Sequence, residues 1–463
     1  MDISSSSRVV VKFREAGTGA DAFLQQQLLL FPGTAAARLF TSVDPETIAA
    51  WVSKAAQSDP GYSAPDFSTY YAFSCPDEKQ ASDLVQQLSV HTIVELAYVE
   101  NGFADTVPGL RLPDSGLPTP DSRLPAQFSR QGYLHPAPYG IDACYAWQLP
   151  GGRGEGNVRF IDIEQGWMTY HEAVMPRMLA CTGISNTHSA GHGTAVLGIL
   201  TMQPNEAGLA GIVPHADGYV LSQWRPGGVF NTADTIMAAI GYLHWGDVLL
   251  VEAQTWHTAT GARTWPIEIH EASYQAIRLA SALGIIVIEP AGNGSTEGPA
   301  GNDLDEFTLD GKDIFNPLSD HFRDSGAIMV AAATHTVPHI RLDFSNYGRR
   351  VNCYAWGESV LTAGSWPRSP GMAINTYTAG FGGTSAAAAI VAGAAIALQS
   401  IAEASHRSRL GPRQMRSLLG DEDCCTPSAG GHEDKIGVMP DLKKIAGEAL
   451  RIIPSLRSPG AAY

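Results

Sequence analysis

Ser385 is the residue best placed to act as a nucleophile. It follows Phe381-Gly382-Gly383-Thr384 and precedes a run of small apolar residues from Ala386 to Leu398. The glycines allow a sharp turn, and the apolar run predicts a helix that is buried on all sides. Backbone N–H groups at the start of such a helix favour negative charge. The segment therefore predicts a hydroxyl beside an oxyanion donor, as acyl transfer requires.

Two simpler structures would account for the same segment. A serine that only caps a core helix explains Gly-Thr-Ser equally well. The run also approaches the length of a membrane span, but alanine and glycine dominate it and no basic flank follows promptly. We therefore expect a core helix, and the chemical interpretation depends on whether a base and an acid lie elsewhere.

Candidates for the base and the acid occur upstream. Asp162 ends an apolar strand that begins at Val158, and His192 begins a predicted helix, flanked by Gly191 and Gly193. Taken alone, an acid at a strand end is usually a cap, and a histidine at a helix start is usually structural. Together with Ser385 they supply a nucleophile, a base and an orienting acid, which is a far more specific pattern.

The elements that must position these residues follow a regular order after about residue 139. Continuous apolar strands are predicted at 158–162, 248–252, 285–288 and 327–332, and helices at 192–202 and 274–283. Such strands, separated by helices, are typical of a parallel sheet covered on both faces. We predict an α/β fold with a doubly wound, mostly parallel sheet, in which ligands bind beyond the carboxyl ends of the strands.

The chain before this region has a different organisation. Strands are predicted at 8–13, 68–74 and 92–99, and helices after Asp44 and from Asp77 to Leu88. This order predicts a small α+β, ferredoxin-like domain over residues 1–100. Residues 101–140 contain seven prolines, so we expect a linker over 101–137 and a second domain over 138–463. An ordered arm packed on the second domain is the alternative for the linker.

Composition excludes several classes of partner and site. The net charge of −16 argues against nucleic acid and anionic membranes. The six cysteines show neither a disulfide framework nor zinc-ligand spacing. No apolar segment of signal-peptide length follows Met1, so we expect a cytoplasmic protein, one exported by another route, or a chain without its leader.

The three chemical motifs resemble those of the subtilisin-like serine proteases, the subtilases of peptidase family S8. The matching residues are Asp162 at the end of its strand, His192 in His-Gly-Thr-x-Val-x-Gly, and Ser385 in Gly-Thr-Ser-x-Ala, and they occur in that order along the chain. Pro290-Ala291-Gly292-Asn293-Gly294 and Phe344-Ser345-Asn346 are also similar to family segments. The resemblance covers about residues 138–450 and implies a subtilisin-like fold.

The resemblance also implies a role for each matched residue. The catalytic residues would be Asp162, His192 and Ser385, and Asn293 would line the oxyanion hole. An extended peptide or protein substrate would bind along Glu252, Ala253, Gln254 and Gly292. No cofactor is required, and structural calcium is left open, with Asn205 matching one family ligand position.

The N-terminal domain resembles the subtilisin propeptide, and its ending Leu96-Ala97-Tyr98-Val99-Glu100 carries the similarity. This resemblance implies that the domain acts as an intramolecular inhibitor. The implied function of the whole chain is that of a serine endopeptidase. A peptide ligase or macrocyclase of the same fold, and a non-catalytic binding pseudoprotease, are the alternatives.

Two positions depart from the family pattern. Ile163-Glu164 follow Asp162 where the family has Ser or Thr and then Gly. Because Glu164 falls beyond the predicted end of the strand, strand alternation favours Asp162 as the acid. Glu252 places an acid near the specificity pocket, and a structural carboxylate paired with a base is the simpler explanation there.

Overall fold

The computed structural model describes residues 7–63, 65–100, 130–174, 178–205, 208–256, 263–295, 300–364 and 376–452. Most of the predicted linker, residues 101–129, therefore lies outside the described residues. The description that follows concerns the residues within these ranges.

The N-terminal part forms a four-stranded antiparallel sheet. Its strands are β1 (Ser7–Phe13), β2 (Ala35–Arg38), β3 (Tyr70–Cys75) and β4 (Val94–Glu100), in the order β2-β3-β1-β4. Its helices are α1 (Thr18–Leu30), α2 (Pro45–Ser58) and α3 (Glu78–Ser89). Asp44 and Asp77 cap α2 and α3 as their positions predict. The sequence analysis did not identify α1 and β2, since β2 consists of three alanines and an arginine with little β propensity.

The second part is built on a nine-stranded sheet with the order β18-β19-β15-β14-β13-β10-β5-β7-β6. Every pair in it is parallel except β18 with β19. The predicted parallel, doubly wound fold is thus confirmed. The strands of this part are β5 (Arg159–Glu164), β6 (Met178–Thr182), β7 (Asp217–Ser222), β8 (Trp224–Arg225), β9 (Val229–Phe230), β10 (Val248–Val251), β11 (Gln254–Trp256), β12 (Thr264–Pro266), β13 (Ile286–Pro290), β14 (Ile328–Ala333), β15 (Cys353–Trp356), β16 (Val360–Ala363), β17 (Tyr377–Phe381), β18 (Thr426–Pro427) and β19 (Val438–Met439).

Helices cover both faces of this sheet because alternate residues of each central strand point to opposite sides. Phe160, Leu250 and Ile288 pack toward α5 and α8, whereas Ile161 and Leu249 pack toward α6 and α7. The helices are α4 (Ala143–Ala146), α5 (Ala190–Thr201), α6 (Thr232–Ile240), α7 (Glu271–Ala282), α8 (Gly383–His406), α9 (Pro412–Leu419) and α10 (Leu442–Ile452).

Helix α8 is the central helix of the second part. It is buried from Thr384 to Ala402 and packs against β13, β14 and β15 as well as α5 and α10. Its length and hydropathy would suffice to cross a membrane, but the whole apolar stretch is enclosed by protein. It is therefore a core helix, as the alanine-rich composition predicts.

The N-terminal sheet packs directly on α6 and α7. Val10, Phe40 and Ile48 join the same hydrophobic cluster as residues of these two helices. The interface also contains a buried carboxylate, Asp234, whose oxygens accept hydrogen bonds from the backbone N–H groups of Thr41 and Ser42. The two parts thus share a continuous core, and the predicted domain boundaries stay a prediction.

We expect Asp234→Ala to lower the free energy of unfolding by about 3–5 kcal/mol, because it leaves the guanidinium of Arg225 buried without its carboxylate. Urea denaturation of the full chain measures this loss. Asp44→Ala is a matched control, since exposed Asp44 only caps α2 and its loss should cost much less. A loss at Asp234 no larger than that at Asp44 would contradict this account of the interface.

Candidate active site

The candidate residues meet at the carboxyl edge of three neighbouring strands, β5, β10 and β13. Glu164 ends β5, Glu252 follows β10, and Asn293 follows β13. Helices α5 and α8 begin near the same edge and carry His192 and Ser385. The parallel arrangement thereby collects side chains that are far apart in the sequence.

The turn before α8 depends on Gly383. Its φ of 88° is left-handed, a conformation that glycine adopts without strain. A Cβ atom at Gly383 would also lie 3.4 Å from the side-chain amide of Asn293. Ser385 is the third residue of the helix and is only 6% exposed. The predicted glycine turn at the start of a buried helix is therefore observed.

His192 makes its hydrogen bond with Glu164. The distance between Nδ1 of His192 and Oε1 of Glu164 is 2.5 Å, and both side chains are buried. The imidazole also packs edge-on against the ring of Phe381, with the ring centroids 5.4 Å apart. These contacts fix the orientation of the imidazole.

Asp162, which the sequence analysis placed in that orienting role, has a different partner. Its Oδ2 accepts a hydrogen bond of 2.8 Å from the indole N–H of Trp167, and its Oδ1 has no hydrogen-bond partner among the described residues. The prediction that Asp162 holds the imidazole is therefore corrected, because the hydrogen bond is made by Glu164.

The correction follows from the length of β5. The strand continues to Glu164, which lies opposite Ser222 of β7, instead of ending at Asp162. Residues two apart on a strand point to the same face. Asp162 and Glu164 therefore both project toward α5, and Glu164 is the one that reaches His192.

Trp167 explains why Asp162 is enclosed and why a glycine follows His192. A Cβ atom at Gly193 would lie 2.6 Å from the indole ring and 2.5 Å from the carbonyl oxygen of Gly166. The absence of a side chain at Gly193 thus lets α5 pack on Trp167, which is 4% exposed.

Asn293 is held against the start of α8. Its Oδ1 accepts hydrogen bonds from the backbone N–H of Thr384 at 2.8 Å and from the Thr384 hydroxyl at 3.0 Å. With the oxygen bound to Thr384, the amide orientation is fixed and Nδ2 is its remaining donor group. This arrangement suits an oxyanion donor, the role that the sequence analysis assigned to Asn293.

Glu252 carries a third buried carboxyl group at this edge. It is 6% exposed, and neither of its oxygens has a hydrogen-bond partner among the residues that the structure describes. Burial raises the pKa of Glu252, and the nearby charge of Glu164 raises it further, while His192 opposes this increase. The Ser385 hydroxyl also opposes it, although it lies outside hydrogen-bond geometry. The simpler sequence explanation, a structural carboxylate paired with a nearby base, stays a prediction, with His192 as the nearby base.

The other predicted substrate-binding residues differ in what they contact and in how they could meet a substrate. Gln254 positions the loop that carries Asn293, since its Oε1 accepts the backbone N–H of Asn293 at 2.9 Å. Gln254 also begins β11, which pairs with β12 along one edge, so an added substrate strand would have to use the other edge. Ala253 is buried, and Gly292 has a φ of 98° with Asn346 where a Cβ would point.

The three acids influence one another, and His192 is the basic side chain that opposes the increase in pKa at Asp162 and Glu252. Burial raises the pKa of Asp162 and of Glu164 well above their ordinary values. The charge of Glu164 raises the pKa of Asp162 further, and the indole N–H of Trp167 acts in the opposite direction. Burial and the mutual repulsion of these acids therefore both favour their protonated forms.

Asn205 does not fit the role of a calcium ligand in this conformation. Its Oδ1 accepts the backbone N–H of Leu209, and its Nδ2 donates to the hydroxyl of Tyr377. A hard cation would need that oxygen, so the side chain closes the loop after α5 instead. Structural calcium elsewhere stays a prediction.

Sequence reasoning missed the residues that support the site. Asn346 donates to the carbonyl oxygens of Ala291 and Thr264 and so fixes the loop that carries Asn293. Trp167 and Thr384 bind Asp162 and Asn293 directly. Of these residues, only Asn346 lies in a segment that the sequence analysis singled out, Phe344-Ser345-Asn346. The others could not be found from the sequence, because contacts between distant segments leave no local sequence pattern.

Comparisons with known proteins agree with this fold. Two solved structures similar to the chain are fervidolysin from Fervidobacterium pennivorans, a keratinolytic enzyme related to subtilisin, and the prenylagaramide maturation protease PagA. For fervidolysin the identity is 15% over 96% of this chain and 61% of that chain, with a TM-score of 0.56. For PagA the identity is 19% over 66% of this chain and 98% of that chain, with a TM-score of 0.47. At 15% identity the similarity to fervidolysin concerns the fold alone.

A search of curated proteins gives no match. Residues 180–431, more than half of the 463-residue chain, match the profile of the subtilase family. The matched region includes His192, Asn293 and Ser385, whereas Asp162 and Glu164 precede it. The nine-stranded sheet and the matched profile together show that this chain belongs to the subtilase family of peptidases.

Proposed function

We propose that this protein is a serine endopeptidase in which Ser385 is the nucleophile, His192 the general base and Glu164 the acid that orients His192. The observation that carries the proposal is the buried hydrogen bond between His192 and Glu164, at the sheet edge from which α8 presents Ser385 after a glycine turn. Membership of a peptidase family makes a peptide or protein the expected substrate.

The mechanism begins with attack of Ser385 Oγ on the carbonyl carbon of a peptide bond. Serine is a weak nucleophile, so the imidazole of His192 accepts its proton and later gives that proton to the leaving amine. Glu164 keeps the proton of the neutral imidazole on Nδ1 and stabilises the imidazolium that forms. Water then hydrolyses the acyl-enzyme by the same steps.

The oxyanion of the tetrahedral intermediate would bind between two donors. One is the backbone N–H of Ser385 at the start of α8, and the other is Nδ2 of Asn293. Since the Asn293 oxygen is already bound to Thr384, this donor does not reorganise during the reaction. Preorganised donors of this kind stabilise the transition state more than the substrate.

We further propose that the N-terminal domain inhibits the enzyme from within the chain. Its last strand, β4, is linked to the predicted substrate-binding segment: Tyr98 stacks on His270, and His270 hydrogen-bonds to Thr255 in β11. Tyr98 is therefore connected through His270 to Thr255, which follows directly on the predicted substrate-binding residues 252–254. If the linker is cut by the enzyme itself, wild-type protein will lack the mass of the released segment that Ser385→Ala retains, and intact masses that differ only by the oxygen of Ser385 would show that no self-cleavage occurs.

A ligase or macrocyclase would use the same acyl-enzyme and differ only in the acceptor, an amine instead of water. Mass spectra of the products from a test peptide separate the two reactions. A binding pseudoprotease would form no acyl-enzyme at all, so the labelling experiment below excludes or supports it.

We expect a fluorophosphonate to label wild-type protein on Ser385 and to leave Ser385→Ala unlabelled, because only an activated serine reacts. Mass spectrometry of the digested adduct identifies the site. Peptide hydrolysis by Ser385→Ala should fall about a millionfold, the loss seen when subtilisin loses its nucleophile. Normal hydrolysis by Ser385→Ala would show that the nucleophile is another residue.

The two acids on β5 should differ in their effect on catalysis. We expect Glu164→Gln to lower kcat by about 10⁴, as in the equivalent acid-to-amide change in other serine proteases. Asp162→Asn should cause a far smaller loss, since the hydrogen bond of Asp162 is with Trp167, whereas Nδ1 of the imidazole is bound to Glu164. Steady-state kinetics of both variants measure this difference, and a larger loss in Asp162→Asn would restore Asp162 to the orienting role.

The raised pKa of Asp162 also predicts how stability depends on pH. Between its unfolded pKa of about 3.9 and its higher folded pKa, the native state holds more protons than the unfolded state. Stability from this group is therefore lost as pH rises, at about 1.4 kcal/mol for each unit by which the pKa is raised.

We therefore expect Asp162→Asn, made in Ser385→Ala to prevent self-digestion, to melt at a higher temperature than its parent at pH 8. The gain should shrink as pH falls toward about 4. Calorimetry over this range measures it, with Asp44→Asn as the control, because exposure and a lowered pKa at Asp44 predict no such gain. Equal melting temperatures at every pH would refute the raised pKa.

A further inference from the structure

Glu164, His192 and Glu252 form a compact group at the carboxyl edge of the sheet. One potential ligand atom from each side chain lies within 4.8 Å of the other two, and all three residues are buried. They come from three different elements, β5, α5 and the segment after β10. The backbone of the central sheet therefore holds them in place.

The group contains an excess of acidic side chains. Asp162 lies on the same face of β5, so three carboxyl groups surround a single imidazole. Glu252 has the fewest hydrogen bonds of them, because both of its oxygens lack a partner among the described residues. Its side chain is nevertheless buried, with only 6% exposed. Buried carboxylates without a partner are costly unless a proton or a cation compensates their charge.

The chemistry of the donors selects the type of cation. A histidine nitrogen with two carboxylate oxygens is typical of zinc sites that keep a fourth position open. Four-coordinate zinc with bonds of about 2.0–2.1 Å separates its ligands by roughly 3.3 Å, and the potential ligand atoms here lie within 4.8 Å of one another. Calcium and magnesium prefer six or more oxygens and fit the group poorly.

We infer that Glu164, His192 and Glu252 bind a divalent transition-metal ion such as Zn²⁺, and that the bound ion switches the enzyme off. The ion takes the place of the proton held between His192 Nδ1 and Glu164, and the neutral imidazole then carries its single proton on Nε2. The imidazole is then a metal ligand and no longer accepts the proton of Ser385. Metal binding itself is independent of the proposed peptidase activity, whereas the inhibition rests on it.

The site can be tested with Co²⁺ alone and the full-length Ser385→Ala protein, which keeps all three ligands. We expect saturable visible absorption typical of tetrahedral Co²⁺, at one ion per chain, which Zn²⁺ abolishes and Mg²⁺ or Ca²⁺ does not. Glu252→Gln in the same background should weaken the affinity about tenfold or more. Binding should also strengthen as pH rises, since the ligands must lose protons.

Matched controls separate this site from surface binding and from misfolding. Glu155 lies near the surface, with its carboxylate 3.0 Å from Nδ1 of His215. Glu155→Gln removes this carboxylate and should leave Co²⁺ binding unchanged. Glu252→Asp keeps a carboxylate and should bind more tightly than Glu252→Gln, and circular dichroism confirms that each variant is folded. Absent Co²⁺ absorption in folded protein, or equal affinity in Glu252→Gln, would overturn the proposal.

The consequence for catalysis is tested separately. Zn²⁺ should inhibit peptide hydrolysis by the wild-type protein, and EDTA should reverse the inhibition. If Co²⁺ binds as expected but the wild-type protein hydrolyses no peptide, the peptidase proposal fails and the metal site stands. If peptides are hydrolysed and Co²⁺ does not bind, the metal site alone is refuted.

Discussion

A hydrogen bond of 2.5 Å between His192 and Glu164 connects the central sheet to α5 inside the protein. Both side chains are buried, so the bond is not weakened by competition with water. Its formation requires β5 to run two residues past Asp162 and α5 to begin beside the same sheet edge. The close packing of Gly193 on Trp167 satisfies the second condition, because any larger residue would push the helix away.

The same burial lowers the stability of the fold at this site. Three carboxyl groups share an enclosed space with one imidazole, and burial raises the pKa of each carboxyl group. The surrounding structure compensates with specific donors, such as the indole N–H of Trp167. Functional sites often keep groups that destabilise the fold, and Glu252, with no hydrogen-bond partner for its oxygens in the described part of the chain, is the clearest example here.

The N-terminal sheet contributes to the stability of the second part as well as to its proposed regulation. It covers α6 and α7 with apolar residues and joins their hydrophobic cluster. Polar contacts at the interface are buried, among them the Arg8–Glu100 ion pair and the Asp234 carboxylate. An interface of this kind resembles a domain core more than a transient contact. Release of the domain would therefore expose a large apolar surface on α6 and α7.

The sequence by itself determined the parallel sheet, the buried helix α8 and the glycine turn before Ser385, since each leaves a local signature of apolar runs and glycine positions. It also singled out His192, Asn293 and Ser385 as candidates. It could not identify which acid hydrogen-bonds to His192. Asp162 and Glu164 are two residues apart and so point to the same face of a strand, and the sequence did not show where that strand ends. Only the tertiary structure decided between them, by the position of α5 over the end of β5. The proximity of Glu252 to Glu164 and His192 could not be read from the sequence either, because it depends on which strands become neighbours in the sheet.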